Sequence, residues 1–67
     1  MEKTFDTKFG EVTLRHAMID TDGTNLADGI EIKIDGELVA EVLDQHLDLD
    51  EITIEEVEEF VNSNCEL

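Results

Sequence analysis

Ile30, Ile32 and Ile34 alternate with Glu31 and Lys33, the period-two pattern of a strand with one apolar and one wet face. Asp35-Gly36 follows, a turn dipeptide, and Leu38, Val39, Ala40, Val42 and Leu43 carry apolar character beyond it. A β-hairpin is predicted. A two-residue Asp35-Gly36 loop sets Ile34 opposite Glu37 and Ile30 opposite Glu41, which mixes apolar with acidic. A three-residue loop with Gly36 left-handed as a bulge pairs Lys33 with Glu37, Ile32 with Leu38 and Ile30 with Ala40. It satisfies both faces and is the predicted register. Residues 38–47 also fit a helix template through Val39, Val42, Leu43, His46 and Leu47. The Asp-Gly turn and the β-branched valines decide for strand.

The C-terminal pattern has a different period. Ile54, Val57, Phe60 and Val61 recur at helical spacing and define one buried stripe, with Phe60 in the core and Glu55, Glu58 and Glu59 opposite. Thr53 and Glu56 form a capping box, and Ile52 and Val57 flank it as a hydrophobic staple. A helix over 54–63 is predicted, stopped by Asn62-Ser63-Asn64. Upstream, the pattern gives a short strand near Thr4 and Phe5, a turn ending at Gly10, and a strand over 11–19. Residues 43–51 fit no single period. The expected fold is α+β: about four antiparallel strands in ββββα order, with one amphipathic helix on one sheet face.

Length limits what such a fold can enclose. The 67 residues make one domain, residues 1–67. A chain this short buries only about 60 % of the surface its unfolded form exposes, so an enclosed catalytic site is not expected. No apolar run approaches the roughly 18 residues of a membrane span. The start "MEKTFDTKFGE" lacks the apolar stretch of a secretory signal, and the single Cys65 excludes an internal disulfide. A cytoplasmic protein is expected.

Charge narrows the partners. Nineteen acids face four bases, a formal net charge of −15. Nucleic acid and anionic membrane would add like charge, so direct contact with either is excluded. Cations and cationic protein surfaces remain. The distribution is uneven: from Glu31 onward there are thirteen acids and one base, Lys33.

Residues 20–31 match the spacing of a calcium loop, with Asp20, Asp22, Thr24, Leu26 through its carbonyl, Asp28 and Glu31 at the ligand places. The flanks "EVTLRHAMI" and "GIEIKI" both read as strands, whereas an EF-hand needs a helix on each side. Asn25 stands where that loop has glycine. The reading is therefore an acidic loop in which Asp22-Gly23 and Asp28-Gly29 make tight turns, with calcium binding kept as an alternative. No cofactor is expected. Asp44, His46, Asp48 and Asp50 alternate and read as a solvated edge, and His16 reads as a part-buried histidine bonded to backbone. Cys65 reads as a mobile thiol with no base beside it. No phosphate loop, nucleophile elbow or CxxC motif is present, and the chain is expected not to be an enzyme.

What remains is a ridge of carboxylates: Asp44, Asp48, Asp50, Glu51, Glu55, Glu58 and Glu59. Glu55 and Glu59 repel at i, i+4, at a few tenths of a kcal/mol. Such a cost is carried either for solubility or because a basic partner discharges it. In general character the chain resembles bacterial or phage and mobile-element inhibitors that mimic nucleic acid, and acidic antitoxins and immunity proteins. That likeness is one of composition, covers no motif and carries over no residue. The expected function is a non-enzymatic binding protein that docks its acidic helix and preceding loop on a basic surface of another protein. The alternative is a small structural or oligomerisation module, and a homodimer is compatible with either.

Overall fold

The computed structural model describes residues 2–21, 23, 25–43 and 47–65. Four strands, β1 (Glu2–Thr7), β2 (Gly10–Asp20), β3 (Leu26–Ile34) and β4 (Glu37–Val42), precede one helix, α1 (Ile54–Asn64). The strands form an antiparallel sheet in sequence order, β1-β2-β3-β4. The expected ββββα architecture is the one observed.

Alternation chooses the faces. Val12 and Leu14 of β2 and Ile30 and Ile32 of β3 are fully buried on the side that receives the helix, together with Phe5 of β1. From the helix, Val57 and Val61 enter this core. Phe60 packs against its margin, half-buried, and Ile54 is 42 % exposed, so the buried stripe is narrower than the sequence spacing suggests. Leu49 supplies the missing volume. It comes from the segment without a clear period and is fully buried, held by a turn in which the Ile52 N–H donates to the Asp48 carbonyl at 3.0 Å.

The β3–β4 hairpin corrects the expected register. The loop has two residues, with Asp35 at φ 52° and Gly36 at φ 86°, the positive pair that a type I′ turn requires. Ile34 faces Glu37 and Lys33 faces Leu38. A bulge then shifts the ladder, so that Ile32 faces Ala40 and Ile30 faces Val42. The one-residue offset needed to match faces exists, but it sits inside the ladder rather than at the turn. The I′ loop matches the strand twist, and the bulge restores the apolar face two residues later. Leu38 and Val39 are exposed as a result.

The β2–β3 connection is also tighter than expected. Asp28 and Gly29 do not form a turn; both lie in β3, opposite Met18 and Ala17. The connection is closed at its base by the Thr21 N–H, which donates to the Asn25 carbonyl at 3.1 Å. β2 and β3 therefore run beyond both outer strands as a two-stranded ribbon, and the molecule is elongated, 36 × 24 × 19 Å.

Candidate functional site

The helix begins where its first turn satisfies its own donors. Thr53 Oγ1 accepts from the Glu56 N–H at 3.2 Å, and Glu56 Oε1 accepts from the Thr53 N–H at 3.2 Å. That reciprocal pair is the predicted capping box. At the other end the Asn64 side-chain amide donates to the Phe60 carbonyl at 2.8 Å, and the Cys65 N–H donates to the Val61 carbonyl at 2.8 Å. Cys65 is thus the C-cap and packs against the core margin, in place of the expected mobile thiol. Burial pushes its pKa up, which makes it a poorer nucleophile.

At 100° per residue, seating Val57 and Val61 in the core turns Glu55, Glu59 and Asn62 outward. Glu55 and Glu59 are exposed, as are Asp48, Asp50 and Glu51 in the turn before the helix. Glu58 does not join them. It is half-buried, and its Oε2 accepts from the Lys8 N–H at 2.8 Å, which ties the β1–β2 turn to the helix. Asp48 is also partly engaged, since its Oδ1 accepts from the Asp50 N–H at 3.0 Å. Asp44 lies outside the described residues, as does His46.

The bases lie elsewhere. Lys3 sits over the Phe5 ring at 5.7 Å and Lys8 over the Phe9 ring at 5.3 Å. Arg15 donates to Glu31 at 2.8 Å across the helix-free face of the sheet. Lys33 faces Leu38 on that face. Among the described residues the Arg15–Glu31 contact is the one ion pair, so no cation neutralises the outer side of α1. The helix N-terminal dipole favours Glu55 and Glu56, and its influence fades within the first turn, short of Glu59.

The described residues of the calcium-loop pattern are not gathered. Asp20 ends β2 and its Oδ1 accepts from the Gly23 N–H at 2.6 Å. Asp28 lies in β3, and Glu31 is in the same strand on the opposite face, paired with Arg15. Asp22 and Thr24 lie outside the described residues. Among the described residues no group of three or more His, Cys, Asp or Glu side chains is placed to hold a metal ion. His16 is exposed rather than part-buried. Its Nε2 is 3.2 Å from the Leu47 carbonyl, which can only accept, so the ring donates and pins the chain before the helix to β2. No described helix is long and apolar enough to cross a membrane.

Beside the acidic face lies a shallow cleft of about 300 Å³. Leu47 and Ile52 line it from the segment before the helix, and Glu56, Glu59, Phe60, Ser63 and Asn64 line it from α1. Helical spacing predicts Phe60 as core; in the structure it is half-buried at the core margin and also lines this cleft. No protein-family model, curated protein or solved structure matches this chain.

Proposed function

We propose that the protein is a non-enzymatic binder that presses the acidic outer side of α1, and the turn before it, onto a basic surface of another protein. The partner surface this chemistry fits is a nucleic-acid-binding groove, where Asp50, Glu51, Glu55 and Glu59 stand in for phosphates and occlude the groove. Asp48 adds its carboxylate at the edge, and Glu58 adds to the field while holding the Lys8 N–H. Asp44 belongs to the same acidic stretch of sequence. The supporting observation is a lack of nearby cations: Asp48, Asp50, Glu51, Glu55 and Glu59 are exposed on the outer side of α1 and the turn before it, while the described bases face aromatic rings, Glu31 or the far side of the sheet. Such a one-signed surface speeds encounter with an opposite one and weakens with salt.

Competition tests this. A basic protein captured on the immobilised chain is expected to be released by raised salt and displaced by duplex or single-stranded nucleic acid. A captured protein that withstands both would contradict occlusion by phosphate mimicry.

A further inference from the structure

Charge explains attraction and rate but does not choose among basic surfaces. The cleft beside α1 is the feature that can choose. Its lining combines half-buried, apolar Leu47, Ile52 and Phe60 with the exposed carboxylates of Glu56 and Glu59. At about 300 Å³ it lies at the small end of the roughly 300–1,000 Å³ range of ligand pockets, a size suited to an anchoring side chain. From Asp35 to the end of the chain there is no Lys or Arg, so at neutral pH, with His46 uncharged, the side-chain charge of that stretch is all negative.

The geometry points to a docking groove for a cationic amphipathic segment of the partner: one large aliphatic or aromatic side chain seated on Phe60 and Ile52, with lysines or arginines on either side reaching Glu56 and Glu59. This rests on the proposed function and deepens it by naming what the acidic side recognises. The division of labour is physical. A desolvated apolar anchor in a pocket supplies most of the discrimination at an interface, whereas rim charges supply rate. Lysine and arginine suit the rim because their aliphatic stems lie along apolar surface while the charged ends reach carboxylates. Glu56 Oε1 is held by the capping box, so this carboxylate is fixed in place before any partner arrives.

Two synthetic helical peptides of equal length and positive charge test the groove, one with leucines on its apolar face and the other with serines there. Affinity for the intact protein is read by titration, and position by amide shifts at Ile52 and Phe60. The leucine peptide is expected to bind at least tenfold tighter and to move those amides. Ser63→Trp fills the cleft from an exposed helix position, and it should erase the preference while leaving the serine peptide's weaker binding in place. Leu43→Ser, which removes exposed apolar surface at the end of β4, should leave the preference intact. Equal binding of the two peptides would overturn the groove and spare the acidic-surface reading. Loss of the preference in Leu43→Ser rather than Ser63→Trp would also overturn the groove, moving the contact to β4. Failure of both peptides to bind at low salt would overturn both.

Discussion

Gly29 shows how much of this small fold hangs on single atoms. A Cβ there would run into the Ile19 side chain and would stand 2.6 Å from the Val42 carbonyl oxygen. The side-chain end can turn away; the carbonyl belongs to the β4 backbone and cannot. Glycine in a strand normally weakens it, so alanine at an open position would stabilise through the unfolded state. The sign of the change therefore reports the contact. Gly29→Ala is expected to destabilise by about 1–3 kcal/mol. In a domain of this size each kcal/mol lowers Tm by about 4–8 °C, well within reach of a thermal melt. A variant as stable as the parent or more stable would show that β4 does not press on β3 at this point. The same packing accounts for Ile19, which is buried although it lies on the helix-free face: it folds over the glycine.

Local chemistry makes α1 legible from sequence, and distance hides how it is attached. The capping box and the Ile52–Val57 flank are written within six residues, so the start of the helix follows from the chain alone. The role of Glu58 does not, because its partner is the Lys8 N–H, fifty positions away. The hairpin is intermediate: its strands and faces follow from alternation, but the bulge at Leu38 and Val39 shifts the partners of Ile32, Glu31 and Ile30 without leaving a mark in the pattern. Leu49 escapes notice because one short turn has no period to detect. The attachment can be measured. Glu58→Ala removes the acceptor and is expected to cost about 0.5–1.5 kcal/mol in urea unfolding. Glu58→Gln keeps an acceptor oxygen and should cost less. Glu55→Ala, on the outer face, should leave stability within about 0.5 kcal/mol. Equal costs for the two alanine variants would mean that Glu58 does not anchor the β1–β2 turn.

For the molecule as a whole, the question is whether a formal charge of −15 is specific or general. Self-association draws on the same balance. The outer strand β4 presents exposed Leu38 and Val39, with exposed Leu43 just beyond its end, while Glu37, Glu41 and the bulge guard it and the net charge repels a second copy. Specificity is separable because acids lie on both sides of the fold. Glu51, Glu55 and Glu59 are exposed on and just before α1, whereas Glu2, Glu37 and Glu41 are exposed on the outer strands of the sheet. Asp20 is unsuitable for a control because it holds the Gly23 N–H. Changing either triple to Gln removes the same charge. The deciding measurement is the association rate of each triple with a captured basic partner, at one low salt concentration. Docking through the helix predicts a loss of roughly tenfold or more for the helix triple and little change for the sheet triple, with both variants folded. Equal slowing by the two triples would show that the acidic side of α1 is a solvated surface like any other, and would contradict the account.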